Sequence, residues 1–389
     1  MYKRLFLNIA AVALLLSSCQ EDKNNENTVM NQEQDPADVE ITTPEETSYT
    51  LETVVEGISI PWGMEFLPDG SMLITDKSGE LIHFKDGEKT QIQGLPEIYV
   101  RGQGGLMDLE LHPDYENNGW IYISYASPEG EGEGGHTAIM RAKLDGDQLV
   151  QQEVLYKATP NSTSGRHFGS RIDFDNQGYL FFTIGERGNR DVNPQDITRD
   201  GGKVYRLYDD GRVPEDNPFT DREDAVKAIW SYGHRNPQGM LVHPDTGEIW
   251  VHEHGPQGGD EINVVRKGAN YGWPVISYGV NYDGTPFTEL TEKEGMEQPL
   301  YYWVPSIAPS GMAFVTSDVY PDWKGDLLVG SLKFQYLERL EIEDRKVVKR
   351  EKIAEGLGRL RNVRIGPDGY IYMGVEGKGI VKIVPEEQS

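Results

Sequence analysis

The sequence predicts an all-β fold, a six-bladed β-propeller, on three observations. One phrase recurs six times: an apolar strand alternating at period 2, a turn carrying Pro-Asp or Gly, then a second apolar and aromatic strand. The copies start roughly 40 to 70 residues apart, the spacing of propeller blades with insertions. No convincing helical period competes. A sandwich or a β-helix would not need such regular repetition.

The chain opens MYKRLFLNIAAVALLLSSCQ. Lys3 and Arg4 precede an apolar run from Leu5 to Leu16, short for a bilayer span and shaped like the core of a secretory signal. It ends in Leu16-Ser17-Ser18-Cys19, which resembles a bacterial lipobox. The expectation is a lipoprotein signal peptide over residues 1–18 and lipidation of Cys19. That makes a cell-envelope lipoprotein, anchored by lipid on the periplasmic side of the outer membrane or at the cell surface. Cys19 is the only cysteine, so no internal disulfide can form. Residues 19–48 are polar, acidic and almost free of aromatics, and read as a disordered tether. Residues 49–389 are left for the propeller. A formal charge of −27 argues against a nucleic-acid partner.

The six copies follow in order: WGMEFLPDGSMLITD from Trp62, LMDLELHPDYENNGWIYISYA from Leu106 and SRIDFDNQGYLFFTIGE from Ser170. Then come GMLVHPDTGEIWVHEHG from Gly239, GMAFVTSDVYPDWKGDLLVGSL from Gly311 and VRIGPDGYIYMGVE from Val363. His112 and His243 both stand just before Pro-Asp, which makes them turn residues. His136 falls in a Gly/Glu-rich loop expected to be mobile.

If the first strand of each copy is innermost, the segments just upstream converge on one mouth of the central channel. Those segments carry Gln103 in RGQGG, His167 in SGRHFGS, Arg235 and Asn236 in SYGHRNPQG, and Arg359 and Arg361 in GRLRN. The end of the fifth copy, VGSLKFQ, adds Lys333. Four cations in a strongly acidic chain ask for a polyanionic ligand, and Arg forks suit carboxylates. A neutral histidine beside them can take a proton at physiological pH.

Residues 252–263 read HEHGPQGGDEIN. His252 and His254 share one face of a strand, but zinc would need further ligands that the sequence does not obviously supply. The phrases GQGGLMDLELHPDY, HFGSRIDFDNQGYLFFTIGE, SYGHRNPQGM, HGPQGGDEINVVRKGANYGWP, VPSIAPSGM, VGSLK and LRNVRIGPDG decide how to read it. Together they resemble the soluble quinoprotein glucose/sorbosone dehydrogenases, in particular the aldose sugar dehydrogenases that use pyrroloquinoline quinone (PQQ). The resemblance covers about Leu51 to Val384 and implies a six-bladed propeller that oxidises the anomeric carbon of an aldose to a lactone. It implies that His167 removes the proton of the anomeric hydroxyl while C1 delivers hydride to the quinone, with Arg235 and Asn236 close to the reacting centre. It places Gln103 and Tyr282 beside the sugar, Tyr282 facing sugar or cofactor. Lys333, Arg359 and Arg361 would hold the PQQ carboxylates and quinone oxygens. Gly255 and Pro256 would give carbonyls to a Ca2+ that also binds PQQ, and Glu261 with the main chain of Tyr271 would serve a second, structural Ca2+, Asp260 being a possible helper. A separate electron acceptor must complete the turnover.

Departures from the glucose-oxidising branch border the substrate pocket. That branch has Trp where this chain has Val304, Gln where it has His254, and Asp where it has Arg166. They argue against glucose as the specific substrate and leave His167 untouched. Two rivals are a calcium-dependent lactonase and a non-catalytic surface propeller that binds a glycan or protein. The first usually lines its channel with carboxylates, where this mouth is cationic. The second would be favoured by loss of His167 or of the Lys/Arg set, all of which are present.

Overall fold

The computed structural model describes residues 39–42 and 48–386. Six antiparallel sheets form six blades. Blade one is Pro61–Phe66, Met72–Asp76, Glu80–Lys85 and Glu88–Ile92; blade two is Leu106–Leu111, Trp120–Ser127, His136–Asp145 and Gln148–Lys157. Blade three is Ile172–Phe174, Leu180–Ile184, Lys203–Leu207 and Ile229–Tyr232; blade four is Pro237–Val242, Ile249–Glu253, Asp260–Val265 and Tyr301–Trp303. Blade five is Pro309–Phe314, Leu327–Ser331, Leu337–Glu343 and Lys346–Ile353. Blade six takes Leu360–Ile365, Ile371–Val375 and Gly379–Pro385 from the C-terminal end, and its outer strand, Tyr49–Glu56, from the N-terminal end. That pairing closes the ring and hides the edges an open sheet would expose.

The first strand of each blade is innermost, and consecutive first strands are neighbours around the channel. The core is a series of seams between blades. Leu73 and Leu81 of blade one meet Ile121 and Ile123 of blade two, and Trp250 and Trp303 of blade four meet Phe314 and Leu327 of blade five. A second strand therefore lies between two neighbours, and Met72–Asp76, Leu180–Ile184 and Ile371–Val375 are buried along their whole length. This is why those strands read as continuous apolar runs.

Five innermost strands carry a register shift on the channel side: at Trp62, at Met107-Asp108, at Gln238, at Gly311 and at Arg361. A bulge takes a residue out of the ladder and frees its carbonyl. Arg171, entering from blade three, collects these groups. Its guanidinium donates to the carbonyls of Gln238 (2.7 Å), Arg361 (2.8 Å) and Trp62 (3.3 Å) and to Asp108 Oδ1 (2.9 Å). It also lies 4.1 Å from the centre of the Trp62 ring. One buried cation thus ties together blades one, two, three, four and six.

Val39 to Thr42 differ from the expected tether. Glu40–Thr42 pair in parallel with Lys349–Glu351 on the outer edge of blade five, and Val39 is buried in the seam of blades four and five. Val39 supplies apolar surface and blade five an unpaired edge, enough to dock a few residues of an acidic segment. The signal peptide, Cys19 and the rest of the tether lie outside the described residues. His112 and His243 hold their turns by accepting backbone N–H groups of Asp114 (2.9 Å) and Asp245 (3.2 Å). His136, expected in a mobile loop, is buried at the start of a strand.

Candidate active site

At the mouth lies a cavity of about 340 Å³ lined by Arg166, His167, Glu186, Arg235, Pro256 and Tyr282, among others. His167 and Glu186 are 7% and 2% exposed, so they form its floor, whereas Tyr282, 73% exposed, stands at its rim. His167 sits at φ +61°, in the left-handed region uncommon for a non-glycine residue. Two bonds hold it there. Its N–H donates to Gln103 Oε1 (2.9 Å), and its ring Nδ1 bonds Glu186 Oε1. With Nδ1–H donated to the carboxylate, Nε2 is the nitrogen left to accept a proton. Burial lowers the His167 pKa from its ordinary value, and the Glu186 bond opposes this only in part, so the ring is neutral at pH 7.

Gln103 arrives on a turn that only glycine permits. Gly102 has φ +59°, and a Cβ there would lie 2.1 Å from the Gly165 carbonyl oxygen. Gln103 Oε1 also meets Asn236 Nδ2 (3.3 Å) and Gln238 Nε2 (3.4 Å). Asn236 is fully buried, and its Oδ1 accepts Gly169 N–H (3.2 Å), so it braces the His167 loop rather than facing the cavity. The Arg235 guanidinium donates to the His254 (2.9 Å) and Gly255 (2.7 Å) carbonyls. Its backbone N–H donates to Glu253 Oε2 (2.5 Å), whose Oε1 bonds His234 (2.8 Å).

The other cations gather around one carboxylate. Glu376 pairs with Arg361 and with Arg359 (2.8 Å), and Arg359 also reaches the Leu332 carbonyl (3.0 Å). Burial raises the Glu376 pKa, but the two guanidinium groups pull it below the usual carboxylate range. Lys333, next in sequence to Leu332, is exposed, with its ammonium 4.9 Å from the Phe334 ring centre. Lys77 donates to the Gly102 carbonyl (3.0 Å), and its pKa is lowered by burial and then by the charge of Arg361. None of Lys77, Lys333, Arg359 and Arg361 lines the cavity of His167; Lys77, Arg359 and Arg361, grouped about Glu376, form a cationic shelf.

Sequence reasoning missed Glu186, Glu376 and Lys77. A signal was there: charged residues stand at or just beyond the ends of second strands, in ITDK, TIGE, VHEHG and MGVE. The carboxylates of Glu186, Glu253 and Glu376 each hold a cation or a histidine of the mouth.

Two features bear on a metal. Pro256 lines the cavity, and the neighbouring Gly255 carbonyl is the one that Arg235 engages. Among the described residues no group of three His, Cys, Asp or Glu side chains could hold a metal, so a cation here would rely on main-chain oxygens. On the outer side of blade four, Glu261 faces Glu253 across the ladder, and both carboxylates reach Asn263 Nδ2 (3.2 and 3.4 Å). Asn263 Oδ1 is buried without a partner among the described residues, and Tyr271 stacks on His234 with ring centres 4.6 Å apart. His252 is buried in the channel wall, while His254 bonds the Pro309 carbonyl (2.6 Å). Asp260 is a structural bracket, accepting from Gly255 N–H (2.8 Å), Ala308 N–H (2.8 Å) and the Ser306 hydroxyl (2.6 Å).

Residues 58–382 match the sequence model of a family described as glucose/sorbosone dehydrogenase. An aldose sugar dehydrogenase of Escherichia coli (strain K12) is 41% identical over 331 residues, covering 83% of this chain and 89% of that protein. The crystal structure of the soluble aldose sugar dehydrogenase from Escherichia coli, in its apo-form, superposes with a TM-score of 0.82 at 38% identity, over 87% of this chain and 100% of that one. The PQQ-bound aldose sugar dehydrogenase of Streptomyces coelicolor superposes with a TM-score of 0.70 at 26% identity, over 89% of this chain and 100% of that one.

Proposed function

The chain belongs to the glucose/sorbosone dehydrogenase family, and from that premise we propose that it is a PQQ- and Ca2+-dependent aldose dehydrogenase that makes lactones. The observation that carries the reading is the pairing of His167 with Glu186 on the floor of a cavity shared with Arg235. The cationic shelf supports the cofactor: Arg359, Arg361 and Lys77, with exposed Lys333 as a further charge, suit a tricarboxylate in a chain of charge −27. When bound, PQQ supplies the two-electron acceptor that protein side chains lack. The Gly255 and Pro256 carbonyls would hold a hard cation, the Gly255 oxygen shared with Arg235, and that cation would act as a Lewis acid. Glu261, beside Glu253 and the orphaned Asn263 oxygen, fits a second Ca2+, to which the Tyr271 carbonyl would add.

The protein's own part is positioning and proton transfer. The sugar enters with its anomeric hydroxyl toward His167 Nε2, which takes the proton. The Glu186 carboxylate stabilises the imidazolium that forms and keeps the ring in the productive tautomer. Arg235 places positive charge where negative charge develops on the sugar oxygen. Gln103 Nε2 and the Tyr282 hydroxyl are free among the described residues to bind the other hydroxyls. A lipid on Cys19 would hold the domain at the envelope, and the electrons leave to a separate acceptor.

Dye reduction by the purified domain, with a panel of aldoses and with PQQ and Ca2+ added or omitted, tests this. Reduction that needs both additions, and a lactone product, is expected. A folded domain that does not bind PQQ would overturn the reading and turn attention to a lactonase or a binding propeller.

A further inference from the structure

We propose that Gln238 is a positioning residue that braces the active site, linking Arg361 of the cationic shelf to the loop that carries His167. Its consequence for turnover rests on the dehydrogenase reading; its structural premise does not. Gln238 is the bulged residue of the innermost strand of blade four, out of register between Pro237 and Gly239. It is 3% exposed. Its carbonyl is held by Arg171 at 2.7 Å, so the backbone from which its side chain springs is fixed.

Both ends of the Gln238 amide are used. Oε1 accepts from Arg361 NH1 (3.2 Å), and Nε2 donates to Gln103 Oε1 (3.4 Å). A guanidinium can only donate, so the end of Gln238 that meets Arg361 must be the oxygen. The nitrogen is then directed at Gln103. The Gln103 atom that receives it also receives His167 N–H and Asn236 Nδ2. The backbone N–H of His167 can only donate, so that atom is the oxygen of Gln103, and Gln238 brings a third donor to it. Arg361 thus orients Gln238, and Gln238 reinforces an acceptor that His167 N–H and Asn236 share. The same relay supplies the acceptor that holds the His167 backbone at positive φ.

Two near-isosteric variants test the relay. In Gln238→Glu the new carboxylate accepts only and repels Gln103 Oε1, which is expected to loosen the acceptor that holds His167 N–H. In Gln238→Met neither end can bond. In the cofactor-free protein, amide hydrogen exchange in residues 164–170 should accelerate about tenfold in both variants, as loss of one hydrogen bond allows. In the reconstituted enzyme the sugar KM should rise about tenfold while PQQ affinity changes only about threefold, since Arg361 keeps Glu376 as its partner. Unchanged exchange and an unchanged KM in whichever variant folds would overturn the proposal. The exchange measurement needs no cofactor, so a parent protein that fails to bind PQQ would sink the dehydrogenase reading and still leave the relay to be judged.

Discussion

The centre of the channel and its mouth are built from the same groups, and they use them in opposite ways. At the centre, Arg171 meets three carbonyls and Asp108, and the cavity beside it is about 40 Å³. Every branch of the guanidinium is engaged, and nothing of a substrate's size could enter. At the mouth the cavity is about 340 Å³, Glu186 Oε2 is buried without a partner among the described residues, and His167 is held at positive φ. A fully satisfied polar network specifies one structure; an incompletely satisfied one beside a cavity has capacity left for a ligand. The first is an expected stability element and the second an expected catalytic one.

Substitutions can break this contrast. The largest effect should come from His167→Ala, which is expected to lower kcat about a thousandfold with only a small fall in the thermal midpoint, by dye reduction and calorimetry on reconstituted protein. Arg171→Met should do the reverse. It leaves Asp108 buried without its partner, and urea unfolding should show a loss of about 3 kcal/mol. A comparable loss of stability from His167→Ala would collapse the distinction between the two regions.

Smaller effects sharpen it. Glu186→Gln should lower kcat about thirtyfold and move the acid limb of its pH profile downward. The sign follows from the charges: the carboxylate favours the imidazolium, so removing it lowers a pKa that burial has already set below 6.5. An acid limb that stays in place would mean that Glu186 only packs. An effect of similar size, but on stability alone, belongs to His252, whose pKa burial lowers to about 3. Held neutral when folded, it takes up a proton on unfolding below its unfolded pKa. Its contribution is therefore constant above pH 6.5, falls by about 1.4 kcal/mol per pH unit below that, and levels off near pH 3. Urea midpoints between pH 7 and 5, compared with those of His252→Gln, measure that slope.

The sequence carried the blades and pointed to several residues that the fold brings together at the candidate site, and what it did not show has a common cause. Gln103, His167, Arg235 and Asn236 could be picked out because polar residues stood just upstream of apolar strands at matching places in the repeat. Glu186 and Glu376 could not, because an acid at the end of a strand in a chain with 64 acids looks like a solvated charge. Asn236 was legible as a site residue but not as a brace, since that depends on Gln103 lying 133 positions away. Glu40–Thr42 were read as tether because composition averages over a window, whereas docking needed only one buried valine and an open strand edge.

By itself the sequence determined the strand period, the six repeats and the side of the ring on which the chemistry-bearing residues gather, all of which follow from local alternation and from equivalence between copies. The tertiary structure alone decided which strand closes blade six, where the bulges point their freed carbonyls, and which donor each buried acceptor meets. Those choices join residues up to roughly 300 positions apart, such as Asn362 and Trp62. They exist only once the ring has closed, because a hydrogen bond is set by distance and angle in space, and neighbouring residues do not encode either.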